Sequence, residues 1–128
     1  MKQPSLMLAA MLLACNATAQ NVEFASPKDG DTVTSPFKVR FVVKNMQVAP
    51  AGEMKPGTGH HHILINTPPI AENHVIPADD QHKHFGKGQT ETELSLPPGV
   101  HTLSLQFADG AHRSYGEAYR QTIRVTVK

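Results

Sequence analysis

Apolar and polar residues alternate with a period of two along three stretches of the chain. In the first stretch, the apolar residues Phe37, Val39 and Phe41 alternate with the charged residues Lys38 and Arg40. Such alternation is typical of a β-strand that buries one face and exposes the other. No window carries the 3.6-residue apolar period of an amphipathic helix. We therefore predict half-buried antiparallel strands at residues 37–44, 101–107 and 122–127.

Weaker strand patterns lie between clusters of turn-forming residues. The weaker strands are predicted at 22–25, 61–66 and 90–96, and turns at 27–30, 97–99 and 109–110. Proline, glycine and aspartate at these turns favour chain reversal. Short strands at this spacing predict an all-β fold, namely an immunoglobulin-like antiparallel β-sandwich of about six or seven strands. The segment 26–33 also resembles the entry to many bacterial immunoglobulin-like modules.

The first 19 residues have the pattern of a secretory signal peptide. A positive charge at Lys2 is followed by an apolar run over 6–14 and then by small residues. This run is shorter than the roughly 20 residues that a membrane-spanning helix needs, and no later stretch comes closer, so no membrane span is predicted. We expect residues 1–19 to be a signal peptide and residues 20–128 to form a single β-sandwich domain in the periplasm.

Two cleavage points compete within this segment. Ala17-Thr18-Ala19 before Gln20 fits the small-x-small rule for signal peptidase, and we favour cleavage after Ala19. Residues 12–15 alternatively resemble the lipobox of bacterial lipoproteins, in which case Cys15 becomes a lipid anchor. Because Cys15 is the only cysteine, cleavage after Ala19 leaves a mature chain without a disulfide or a thiolate.

Charge and composition limit the kinds of binding partner that we expect. The chain has 12 basic and 11 acidic residues, a formal net charge of +1, so nucleic acid and anionic membranes are not expected as partners. Histidine is abundant, with 8 residues, most of them between His60 and His101. These histidines lie at the edges of a long connection over 67–88, and connections of that length inside a compact domain are often functional.

Two histidine pairs with a spacing of two residues flank this connection. An extended backbone places His60 and His62 on one face of a strand and His61 on the other. His82 and His84 repeat the spacing. Together the two pairs supply four nitrogen ligands, and a set of imidazoles without thiolate favours copper(II) or zinc over copper(I), magnesium or calcium. We therefore predict a copper or zinc site formed by His60, His62, His82 and His84.

Other candidates have simpler explanations. A histidine at the end of a strand often hydrogen-bonds a loop carbonyl, and this structural role is favoured for His101, which begins a strand on its core face. We expect His61 to pack or cap and Met46 to anchor the core or a loop. His112, in a turn-rich loop, and Met54 remain spare ligands.

The chain lacks the common catalytic motifs. It contains no G-x-S-x-G and no H-E-x-x-H sequence, and cleavage after Ala19 would remove the cysteine nucleophile. The glycine-rich 85–90 lacks the order of a phosphate-binding loop and is better explained as a tight turn into a strand. An enzymatic role would therefore depend on the metal alone.

Four motifs in the same order resemble one bacterial family. They are residues 59–65, 76–80, 84–90 and 96–103. In these motifs the chain is similar to the domain-of-unknown-function family 4399, which implies a short exported protein of unassigned activity. The motif positions match at His60, His61, His62, His82, His84 and His101. The chain departs from the family after Asp109, so the resemblance assigns no role to His112.

These observations support three functional hypotheses. The leading one is an exported periplasmic protein that binds copper or zinc for storage, delivery or tolerance. The alternative is an immunoglobulin-like module that binds another envelope protein, with structural histidines. A metal-dependent enzyme is less favoured, because its comparison with copper-zinc superoxide dismutases is an analogy of architecture only.

Overall fold

The computed structural model describes residues 20–128, and the predicted signal peptide and Cys15 lie outside the described residues. Within this range the chain forms strands and one short 3-10 turn at Glu117–Tyr119, without an α-helix. Accordingly, no helix among these residues is long and apolar enough to cross a membrane. The strands are β1 (Val22–Ser26), β2 (Thr32–Val33), β3 (Phe37–Val43), β4 (Gln47–Val48), β5 (Thr58–Ile65), β6 (His82–His84), β7 (Glu91–Leu94), β8 (Gly99–Ala108) and β9 (Arg120–Val127).

The strands form two sheets packed face to face. One sheet has the order β1-β3-β7, and the other has the order β2-β9-β8-β5-β4, with β6 also paired to β5. The first two strands belong to different sheets, because β1 pairs with β3 whereas β2 pairs with β9. This arrangement confirms the predicted all-β sandwich, but it has nine strands rather than the predicted six or seven, because β2 and β4 are only two residues long and β6 only three. Only the two-residue strands β2 and β4 pair parallel to a neighbour, and the other pairings between named strands are antiparallel.

The core lies between the two sheets and follows the predicted alternation. The apolar residues that recur with a period of two in β3, β8 and β9 point inward, which confirms the three predicted strands, whereas Val42 of β3 and Val100 of β8 are exposed. Removing such side chains from water supplies about 25 cal/mol per Å² of apolar surface. The most deeply buried apolar residues of these strands are Val39, Phe41, Leu103, Leu105, Phe107 and Val125.

The long connection between β5 and β6 covers the outer face of the larger sheet. Ile76 packs there against Leu64 of β5 and Ala108 of β8. The backbone N–H of Ile76 donates to the carbonyl of His112 at 2.8 Å, and Arg120 donates to the carbonyl of Ile70 at 2.7 Å. As a result, β5 is covered on both faces, and all eight of its residues are buried.

Candidate metal centre

Strand β5 provides two histidines on the outer face of the larger sheet. His60 lies opposite Ala108 of β8, and His62 lies opposite Gln106. Both rings are buried, and their centroids are 4.6 Å apart. Because side chains alternate along a strand, the intervening His61 points into the core.

His61 is packed between aromatic side chains in the core. Its ring centroid lies 4.6 Å from that of Phe41 and 4.9 Å from that of Phe107. Neither of its ring nitrogens has a hydrogen-bond partner within residues 20–128. Burial, with a smaller contribution from His60, lowers the pKa of His61 to about 4, so this imidazole is neutral at pH 7.

Strand β6 places His84, but not His82, beside His60 and His62. His84 lies directly opposite His62, so the two rings share a face, with centroids 5.2 Å apart. His82 lies opposite Leu64, two residues further along β5, which is a displacement of roughly 7 Å. Its Nδ1 is hydrogen-bonded to Oδ1 of Asp79 at 2.7 Å. The structure therefore separates His82 from the other three predicted ligands and uses it to hold the end of the long connection.

The fourth histidine of the cluster is His112, in the turn after β8. Its backbone is left-handed, with φ of 64°, and its N–H donates to the carbonyl of Asp109 at 2.9 Å. The Asp109 carboxylate accepts hydrogen bonds from the backbone of Ala111 and Arg113, both at 2.9 Å. This tight turn brings Nδ1 of His112 to 3.1 Å from Nε2 of His60.

His112 was only a spare candidate in the sequence, because it is distant in the chain from the other three. The signal that identifies it is the register between β5 and β8. Once His60 is paired with Ala108, the turn at 109–113 must lie beside the first histidine of the cluster.

We call His60, His62, His84 and His112 the histidine quartet. One nitrogen from each ring lies within 4.8 Å of the others. Four nitrogens bound to one ion at about 2.0–2.1 Å are about 3.3–3.4 Å apart in tetrahedral geometry, and about 2.8–3.0 Å (neighbours) or 4.0–4.2 Å (opposite) apart in planar geometry. Modest rotations of the side chains therefore bring the quartet to bonding distance. His60 and His62 form a buried floor, His112 is half-buried, and His84 is exposed.

The electrostatics favour neutral imidazoles at three members of the quartet, His60, His62 and His84. Burial is the main cause that lowers the pKa of His60 to about 4 and of His62 to about 2, and neighbouring histidines add to both shifts. Burial and His112 also lower the pKa of His84. A neutral imidazole keeps a lone pair free for a metal ion at pH 7.

Two nitrogens of the floor lack partners in the protein. Nδ1 of His60 and Nδ1 of His62 are buried, and neither has a hydrogen-bond partner in the part of the chain that the structure describes. Leaving a buried polar group unpaired costs about 1–3 kcal/mol. The donor set, its protonation and its spacing fit a transition-metal ion.

The remaining candidates have structural positions. His101 is hydrogen-bonded to Asn66 at 2.9 Å and to the carbonyl of Pro97 at 2.7 Å, in agreement with its predicted structural role. Met46 packs against the core, as expected, and Met54 is 53% exposed.

Comparison with known proteins assigns a family but no activity. The model of the family described as a domain of unknown function (DUF4399) matches residues 39–128, and the chain belongs to this family. This match confirms the resemblance drawn from the four motifs, and the whole histidine quartet lies inside it. No curated protein and no solved structure shows significant similarity to the chain.

Proposed function

We propose that this protein is an exported, histidine-rich protein that binds one copper or zinc ion for storage, delivery or tolerance. The ligands in this proposal are His60, His62, His84 and His112. The observation that carries it is the convergence of four imidazoles, from three separate segments, to within 4.8 Å of one another. Burying the polar rings of His60 and His62 side by side costs each of them hydration, so their placement beside two further histidines supports a bound ligand.

The chemistry of the donors supports copper(II) or zinc. All four ligands are imidazole nitrogens, which suit both ions, whereas copper(I) prefers sulfur and magnesium or calcium prefer oxygen. Four protein ligands fill the tetrahedral coordination of zinc and leave no open position for substrate. This feature supports a role in holding and passing on the ion rather than in catalysis.

The direct test is titration of the untagged wild-type protein with copper(II) or zinc in a calorimeter at neutral pH. We expect one ion to bind per chain, with the melting temperature raised by the bound ion. With free metal at 100 times the dissociation constant, the free energy of unfolding should rise by about 2.7 kcal/mol. If neither ion binds near neutral pH, the proposed function is wrong.

Export is a separate part of the proposal, supported by the signal-peptide pattern in residues 1–19. We expect the protein isolated from the periplasm of a bacterial host to begin at Gln20. The mass of its N-terminal peptide measures this directly. A lipid-modified peptide that begins at Cys15 would show that the protein is a lipid-anchored lipoprotein instead. Uncleaved protein found in the cytoplasm would contradict export.

A further inference from the structure

Residues 49–53, which we call the clasp, donate hydrogen bonds to β5 and to two turns, one directly after His84 and one that contains His112. The N–H of Ala49 donates to the carbonyl of Gly59, next to His60, at 2.8 Å. The N–H of Ala51 donates to Gly86 at 2.8 Å, and the N–H of Gly52 donates to Gly110 at 2.9 Å. Gly86 and Gly110 are each two residues from a histidine of the quartet, so the clasp spans both turns.

A glycine is needed at position 86 because the His84 ring leaves no room for a side chain, and not because of the backbone conformation there. Its φ lies outside the left-handed region, so an L-residue can adopt its conformation. A Cβ atom at this position would lie 2.3 Å from Cε1 and 2.6 Å from Nε2 of the His84 ring. The same atom would lie 3.1 Å from Cβ of Ala51. The His84 ring thus rests on the bare backbone of Gly86, directly beside the clasp.

Position 110, on the turn that contains His112, also leaves no room for a side chain. Its φ also lies outside the left-handed region, but a Cβ atom there would lie 2.3 Å from the carbonyl oxygen of Glu53. This neighbour is backbone and cannot rotate away. Any side chain at Gly110 must therefore move the clasp or the turn that carries His112.

From these contacts we infer that Gly86 and Gly110 are positioning residues of the metal site, because they let the clasp hold His84 and His112 over the buried floor. The inference rests on the proposed function, since it assigns a role in metal binding. It goes beyond the ligands themselves: neither glycine touches the ion, and both act through the histidines that they position.

The test is the substitution Gly86→Ala, with copper(II) affinity measured by calorimetry and nitrogen coordination measured by electron paramagnetic resonance. Displacing the His84 ring should lower affinity by about 10- to 100-fold, the range typical of residues that orient metal ligands. The resonance spectrum should lose the contribution of one imidazole. A merely destabilising change would not alter this spectrum in protein that remains folded.

A double-mutant cycle separates positioning from general damage. In a His84→Ala background, Gly86→Ala should have little further effect on affinity, because the ring that it displaces is already absent. The matched control is Gly30→Ala on a remote turn, where φ is +86° and no atom lies within 4 Å of the new Cβ. This control should lower the melting temperature of the metal-free protein without changing the copper affinity.

Gly110→Ala provides a second variant if Gly86→Ala fails to fold, and we expect it to lower copper affinity in the same way by moving the clasp. If wild-type protein binds copper(II) and folded variants bind it with the same affinity and the same nitrogen coordination, the inference about the clasp is overturned. If wild-type protein binds neither copper(II) nor zinc, the proposed function fails instead.

Discussion

Replacing His60 and His62 together by alanine is expected to abolish binding of copper(II) or zinc. These residues form the buried floor of the quartet, and both are held neutral at pH 7 by burial. The two remaining ligands, His84 at the end of β6 and His112 in the turn after β8, lie on separate segments and do not form a chelate on one strand. We expect affinity in calorimetry to fall by more than about 100-fold, beyond the loss typical of outer residues that only orient a ligand.

The matched control for this experiment is His82→Ala. His82 is also buried and lies on β6, but its ring is hydrogen-bonded to Asp79, and it is not part of the quartet. The control should lower the melting temperature while leaving metal affinity unchanged. If the floor variant instead lowers the melting temperature equally with and without metal, the histidines are structural, and the hypothesis of an envelope interaction module is favoured.

The metal-free protein is expected to unfold steeply in mild acid. The pKa values of His60 and His61 are about 4, and that of His62 is about 2, all below the ordinary 6.5. Below pH 6.5 the unfolded chain takes up protons that the folded chain does not, so the free energy of unfolding falls as pH falls. When all three histidines take up a proton on unfolding, the free energy of unfolding falls by about 4 kcal/mol per pH unit. A typical domain has a total free energy of unfolding of about 5–15 kcal/mol, so a fall over about two to three pH units is enough to unfold it.

Circular dichroism at a series of pH values measures this transition, with an expected midpoint between about pH 4 and 6. The variant His61→Leu fills the pocket between Phe41 and Phe107 without an ionisable ring. It should move the midpoint to lower pH and leave metal affinity unchanged, because His61 faces away from the quartet. Stability that stays constant between pH 7 and 5 would contradict this account.

The sandwich was predictable where one face of a strand is buried. Strands β3 and β9 alternate cleanly, because one side of each contacts the core. Strand β8 has the same alternation in sequence, but the structure buries both of its faces from Leu103 to Ala108, so the prediction of a half-buried strand was wrong there. Strand β5 is also buried on both faces, so its alternation is weak, and it was predicted only as the weaker strand 61–66. The two-residue strands β2 and β4 depend on pairing with distant strands, which a local pattern does not encode.

The candidate metal site was predictable from the sequence only where local geometry determines it. The spacing of His60 and His62 was sufficient to place both rings on one face of a strand. Choosing between His82 and His84 required the register of β6 against β5, which places His84 and not His82 opposite His62. His112 depends on the pairing of β8 with β5, a contact between residues far apart in the chain.

The unequal exposure of the quartet has a consequence for how an ion would leave it. His60 and His62 are buried and His112 is half-buried, whereas His84 is exposed to solvent. In the proposed function, a donor atom from an acceptor protein would therefore reach the ion from the side of His84 while His60 and His62 still held it. Exchange by this associative route would pass the ion directly between ligands, without its release as a free, hydrated and toxic species.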